Sequence, residues 1–410
     1  MIYKVSRPKG SLHTTISLPA SKSISNRLLI IHALSANTSG IENLSESDDT
    51  VLMKRALKSV DLVKDIGHGG TAMRFLTAFY SCREGVVNLT GSDRMKERPI
   101  GPLVDALRLL GAEINYLGNK GFPPLGIKGK KLSGGAIDIK GNISSQFISA
   151  LLMVAPTFEK GLALTLKGDV VSSAYIKMTL SLMNQYGAET KWTENTIKVA
   201  PGNYKLDGYT VESDWSAASY WYAMILPELH AKITLCHLEK DSLQGDSDLV
   251  NIFQKLGVVT EFKNKTASLQ KFTNIIPGRF EYDFTDSPDL VQSMAVILSM
   301  SAIPFKFTGT QTLRIKETDR IAALQAELKK LGFILTSDPA GSYLEWSGKR
   351  CDPEKNPLIN TYHDHRMAMA FVPAALVLGE IRIDAPLVVS KSYPGFWKDL
   401  KKAGFGVEEE

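Results

Sequence analysis

Apolar positions along this chain follow a compound pattern rather than a single period. Helix-spaced apolar runs end in glycine, and a strand-like run follows at once. The junction recurs at Gly111, Gly187, Gly257, Gly332 and Gly404, in strings such as LRLLGAEI and LKKLGFIL, at separations of 70 to 76 residues. Glycine after the last turn suits the left-handed C-cap, and the residues beyond it favour strand. A shorter relative, LMKRALKSV at 52–60, precedes the first full copy. The chain is therefore expected to hold six copies of an α/β unit of about 70 residues, the first abbreviated, grouped as three plus three.

Polar residues cluster where the apolar helices begin. Residues 14–18 read as a strand leading to Pro19-Ala20, and LPASKSISNRLLI at 18–30 then opens a helix. Ser21 or Ser23 can cap it, and Ser23 and Arg27, four apart, share its amide-rich end beside Lys22. Cations, hydroxyls and free amides at one helix start make an anion site. The device recurs: Gly69-Gly70-Thr71 with Arg74, where the glycines admit a ligand to the backbone and Thr71 caps; Arg94, Lys96 and Arg98 before a helix at 102–110; Ser144-Ser145-Gln146; Ser287-Pro288-Asp289; Arg314 to Arg320; and Asp364-His365-Arg366. Asp319 and Asp364 read as N-caps.

Two regular interruptions suggest where the chain passes between halves, one at Leu18-Pro19-Ala20 and one at 211–219, where a new helix opens. The expected domains are 20–212 and 1–19 with 213–410. At 410 residues two cores are expected in any case. Net charge of +5 and a pI near 8.8 permit nucleic acid but suit an anionic small substrate equally well. Cys82, Cys236 and Cys351 form no paired framework, which points to a reducing, cytoplasmic setting. No apolar stretch approaches a membrane span, and no heptad seam suggests assembly, so a monomer is expected.

The chemistry is narrowed by what the cations surround. Lys22, Arg27, Arg74, Arg94, Lys316, Arg320, Arg366 and Lys391 could bind two substrates carrying phosphate and carboxylate, roughly five to six negative charges in all. Asp289 and Glu317 stand among them without a capping duty and are the acid–base candidates. His363 and His365 lack a third metal ligand of suitable spacing, so neither metal nor cofactor is expected. The phosphate-binding GxxxxGK[ST] and dinucleotide GxGxxG loops are absent, and so is a GxSxG elbow. Trp221 and Tyr222 sit in an apolar helix and read as core rather than as a base-stacking platform.

PASKSISNR, GGTAMR, TGSDRMKERP, SSQFISALL, RIKETDR, DHRMAMAF and SKSYPGFW run in order over nearly the whole chain. Together they resemble the 5-enolpyruvylshikimate-3-phosphate synthase family of enolpyruvyl transferases. The resemblance implies an α/β (α+β) fold of two domains, each of three βαβαββ-type units in an inverted α/β barrel, with substrates in the cleft between them and closure on binding. It implies transfer of the enolpyruvyl group of phosphoenolpyruvate to the 5-hydroxyl of shikimate 3-phosphate, with release of phosphate.

Carried over motif by motif, Lys22, Ser23, Arg27, Ser144, Ser145, Gln146, Ser172 and Tyr175 would hold shikimate 3-phosphate, with Asp289 and Lys316 on its ring hydroxyls. Lys22, Gly70, Arg74, Arg94, Gln146, Arg320, Arg366 and Lys391 would hold phosphoenolpyruvate. Glu317 with Lys22 would protonate the methylene carbon, and Asp289 would take the 5-hydroxyl proton on the way to a tetrahedral ketal. Three departures stand out: His68 where the family has Asn or an acid, a first unit without its strand pair so that only 61–66 remains, and Trp215 where a small residue is usual. The UDP-N-acetylglucosamine enolpyruvyl transferases share the architecture but use a loop cysteine, which the loop at 121–125 lacks. A basic nucleic-acid-binding protein is the alternative from a different class and predicts steeply salt-dependent binding to any polyanion.

Overall fold

The computed structural model describes residues 1–35, 40–205, 208–271 and 277–410. The chain divides into two compact units, one of Ala20–Val211 and one of Met1–Pro19 with Glu212–Glu410. Both are assembled from one motif. A complete copy runs strand Val63–Asp65, helix Gly70–Ser81, strand Gly85–Thr90, helix Gly101–Leu109, then strands Glu113–Tyr116 and Leu125–Gly129. Its first two strands are parallel, and the fourth inserts antiparallel between the second and third. The next copy, from Gly135–Lys140 to Thr196–Val199, repeats that order. The first copy keeps helices Lys22–Leu34 and Asp48–Lys58 but only one parallel pair, Ile41–Glu42 with Tyr209–Thr210. Val63–Asp65, inside the 61–66 stretch assigned above to the first unit, is instead the opening strand of the second.

In the other unit the motif is stitched from distant segments. Copy four opens with His13–Ser17, parallel to Lys232–Cys236, although its helix Trp215–Ile225 follows almost two hundred residues later. The join is direct: Asp214 N–H donates to Pro19 O at 2.9 Å. Copy five pairs Phe280–Asp283, Phe305–Thr308 and Tyr343–Trp346, and its third strand is reduced to the bridges Phe333–Arg350 and Thr336–Glu345. Copy six places Ile2–Ser6 between Glu380–Asp384 and Gly406–Glu409. Among the described residues the six sheets stay separate and open. The five junction glycines all have φ between 81° and 104°, the conformation their C-cap duty requires.

The first helix of each copy is the core element. Residues Gly70–Ser81 are buried except Tyr80, and every residue of Val291–Met300 is buried, as expected for helices apolar on all sides. Trp221 and Tyr222 are fully buried in that core, as their helix predicted. Trp215 is buried too, tilted on Phe262 at 6.2 Å. The helix predicted from Asp364 is broken into His365–Ala370 and Ala374–Leu378, with Pro373 at the break. Among the described residues no helix is long and apolar enough to cross a membrane.

Candidate active site

In the unit Ala20–Val211 three helix starts converge. Arg27, in the second turn of Lys22–Leu34, lies 5.5 Å over the Phe75 ring of the neighbouring helix start and donates to Ser149 Oγ at 3.2 Å on the third. Its remaining bonds go to Thr179 Oγ1 at 2.7 Å, Ser23 O at 2.8 Å and Tyr175 O at 3.2 Å. Every acceptor is neutral, and burial pulls the guanidinium down to about 10. Arg27 thus ties Ser23, Tyr175 and two neighbouring helices together, and among the described residues one of its Nη1 hydrogens has no acceptor. Lys22 and Ser23 beside it are half-buried. Ser21 rather than Ser23 caps this helix, accepting from Ile24 N–H at 3.4 Å.

The second start is built differently from its sequence reading. No side chain of its own caps Gly70–Ser81, and Thr71 is not the cap; Asp49, from the helix Asp48–Lys58, accepts from Ala72 N–H at 3.3 Å. Arg74 donates to Gly70 O at 3.1 Å and Pro99 O at 2.9 Å, fastening the basic loop to the helix. That loop begins with the short helix Asp93–Lys96, capped by Ser92. Its rotation decides which arginine faces inward. Arg94 turns out, 55% exposed, to Glu97 at 2.9 Å. Arg98 is buried with its guanidinium over Gly70, where a Cβ would meet Arg98 Nη1 at 2.5 Å. Of the two arginines it is therefore Arg98, which sequence reasoning left unassigned, that lies against Gly70. His68 Nε2 stands 3.4 Å from Asp48.

At the third start Ser144 caps the helix Ser145–Val154, accepting from Gln146 N–H at 3.3 Å, and Gln146 Nε2 donates to Thr71 Oγ1 at 3.4 Å. Ser172 is held at φ 56°, a left-handed position uncommon for serine, where it heads the helix Ser173–Gln185. Tyr175 places its ring 6.0 Å from Arg27. Lys22, Ser23, Arg27, Gly70, Arg74, Ser144, Ser145, Gln146, Ser172 and Tyr175 thus lie on helix starts of one unit.

The second unit gathers Asp289, Lys316, Glu317, Arg320 and Arg366. Asp319 and Asp364 are the caps expected, accepting from Ala322 N–H at 3.0 Å and Arg366 N–H at 2.9 Å. Arg320 is 1% exposed and serves three carboxylates: Asp364 at 2.7 Å, Asp289 at 2.9 Å and Glu317 at 2.9 Å. Those acids raise its pKa despite burial. Arg366 reaches Asp289 at 2.7 Å, and Lys316 stands 3.7 Å from it. Burial alone would raise the Asp289 carboxyl, but Arg366, Lys316 and Arg320 hold it well below the usual carboxylate range. Lys391 donates to His363 O at 2.7 Å, in a turn where Tyr362 and His363 are both left-handed. Ser216 and Asp246, passed over in the sequence, belong to the cluster: Arg366 donates to Ser216 Oγ at 3.3 Å, and Ser216 donates to Asp246. Asp246 is one of two acids in an SLQGDSD loop, with no spacing signal in the sequence to single it out. No group of three or more metal-ligating side chains occurs among the described residues.

Repeated α/β units whose helix starts carry arginines, lysines and hydroxyls define a protein built to handle small polyanions. The chain belongs to the EPSP synthase (3-phosphoshikimate 1-carboxyvinyltransferase) family, whose sequence profile matches residues 6–400. It is 52% identical over 409 residues to the 3-phosphoshikimate 1-carboxyvinyltransferase of Bacteroides fragilis, covering 100% of this chain and 99% of that one. It is 34% identical to the protein of that name from Methanospirillum hungatei, over 96% of each chain. The fold is that of the EPSP synthase from Acinetobacter baumannii, with a TM-score of 0.79 over the whole of both chains at 22% identity.

Proposed function

We propose that this protein transfers the enolpyruvyl group of phosphoenolpyruvate to the 5-hydroxyl of shikimate 3-phosphate, releasing phosphate, in the shikimate pathway. One observation carries the chemical assignment: Asp289, Glu317 and Lys316 are gathered on Arg320 and Arg366 at one set of helix starts. An acid–base pair set among cations is what addition of a hydroxyl to an anionic enol phosphate demands. Residues 20–212 carry the shikimate 3-phosphate groups, and 1–19 with 213–410 carry the acid–base residues and the cations Arg320, Arg366 and Lys391.

Asp289 is the proton acceptor for the 5-hydroxyl. Paired with two arginines it is a weak base, since a depressed pKa makes a carboxylate reluctant to take a proton. Anionic groups of phosphoenolpyruvate drawing on Arg366 and Arg320 would release that hold and raise its basicity as the substrates assemble. Glu317, sharing Arg320 with it, is the proton donor to the methylene carbon, with Lys22 assisting. The cationic carbon takes the 5-oxygen and gives a tetrahedral ketal. Elimination reverses the proton movements while the cations stabilise departing phosphate. The protein works on small molecules, and we place it as a monomer in the cytoplasm, consistent with three free cysteines.

The test is phosphate release from phosphoenolpyruvate with shikimate 3-phosphate, with UDP-N-acetylglucosamine and with no acceptor. Release with the first alone is expected; release with the second or with none overturns the assignment.

A further inference from the structure

Among the described residues Asp246 is a carboxylate that neither caps a helix nor pairs directly with a cation. It is 4% exposed, in the turn Gly245–Asp248. Its Oδ2 accepts from Ser216, and its Oδ1 is buried with no hydrogen bond among the described residues. Ser216 in turn accepts from Arg366 Nη2 at 3.3 Å, and the same Nη2 donates to Asp289 Oδ2 at 2.7 Å. Donors and acceptors therefore run one way, from Arg366 through Ser216 to Asp246.

We propose that Asp246 is a positioning residue for phosphoenolpyruvate: through Ser216 it sets how much of the Arg366 cation is presented to the anionic substrate. A neutral Asp246 leaves the guanidinium charge to Asp289 and the ligand. An ionised Asp246 claims part of that charge through the serine and adds a second negative charge behind it, weakening attraction for an anion. The groups facing Asp246 are Arg366 from the helix His365–Ala370, Asp289 from the turn Pro288–Leu290 and Asp214 at the cap of Trp215–Ile225. Asp248, at the end of its own turn, is engaged instead by Asn251 and Tyr282. Burial and the Asp289 charge outweigh Arg366 and the serine bond, and push the carboxyl up to about 7. The sign follows: anion affinity is highest below neutrality and falls as pH rises through it.

The inference rests on the functional reading above, and its test separates the two. In full-length enzyme, KM for phosphoenolpyruvate is measured from below pH ~6 to above pH ~8, spanning the transition, for wild type and Asp246→Asn. The substrate's own titration is common to both proteins and cancels in the ratio. That ratio should change on the order of tenfold, the factor one pKa unit of coupling represents, while kcat changes less. Ser216→Ala, which keeps the Asp246 carboxyl but removes its bond to the serine and so cuts the link to Arg366, should also flatten the wild-type pH dependence. Parallel KM profiles in wild type and both variants overturn the proposal. Infrared difference spectra of ligand-free protein provide a readout independent of turnover. A protonated-carboxyl band on the acid side of neutrality, lost in Asp246→Asn, is expected; no such difference also overturns it. Absence of phosphate release by wild type would refute the functional reading and leave the infrared result standing.

Discussion

The two sets of helix starts treat arginine in opposite ways. In the unit Ala20–Val211, Arg27 is solvated by hydroxyls and backbone carbonyls, so its full charge remains for an anion. In the other unit Arg320 is surrounded by Asp289, Glu317 and Asp364, and its charge is already answered. Neutral acceptors hold a cation in place without cancelling it, which suits steady attraction for a phosphate. Carboxylate partners cancel it and leave a set of exchangeable ion pairs, which suits proton transfer. The anions that bind there must compete with internal acids, and that competition alters the basicity of those acids. Binding and chemistry are thus separated by the kind of acceptor each arginine is given.

Breaking the carboxylate cluster should have the largest effect. Asp289→Ala and Glu317→Gln are each expected to lower kcat by about 10²–10⁴ with shikimate 3-phosphate binding retained; wild-type turnover in both would remove the acid–base assignment. Arg320→Ala leaves three buried or half-buried carboxylates without their common partner and should cost about 3–5 kcal/mol in denaturant unfolding. Arg27→Met leaves only neutral acceptors unsatisfied, so its cost should be smaller, about 1–3 kcal/mol, with the loss concentrated in shikimate 3-phosphate affinity. Equal destabilisation by the two variants would erase the contrast.

A pH scan sharpens the same comparison. The folded pKa of Asp289 lies below its unfolded value, so its contribution to stability is present above about pH 4 and is lost as pH falls. Asp246 acts with the opposite sign. Its folded pKa is raised, so stability linked to it is lost as pH climbs from about 4 towards about 7. Melting curves of Asp246→Asn should lack that decline. Smallest of all, Arg94→Ala should change stability by less than about 1 kcal/mol, as for an exposed pair, and leave KM nearly unaltered, whereas Arg98→Ala should raise KM for phosphoenolpyruvate. The reverse order would return Arg94 to the site.

Much of this was legible in the sequence because it is local. The C-cap glycines, the caps Asp319 and Asp364, and the polar helix starts each depend on residues within a turn of one another. What escaped was set by non-local geometry. Arg94 and Arg98 occupy similar positions in the string, and only the Ser92-capped turn and the bond from Arg74 to Pro99 decide which faces Gly70. Thr71 looked like a cap, but the orphan amides are served by Asp49 from another helix. Asp246 carried no spacing signal because its partner Ser216 lies in a different helix. The strand at 14–18 was legible, but nothing local to it marked Lys232–Cys236 of copy four as its partner.

That last arrangement bears on how the protein is made. Every strand of Ala20–Val211 finds its partner inside that segment. On the ribosome its sheets can close soon after residue 211 emerges. Ile2–Ser6 must wait, because its two neighbours, Glu380–Asp384 and Gly406–Glu409, follow every other strand of the described residues. Ile2–Ser6 thus leaves the ribosome long before either neighbour and is an exposed edge in the interval. A nascent chain stalled before residue 380 should hold one finished unit and one incomplete sheet, and an N-terminal deletion of six residues should harm the second unit while sparing the first.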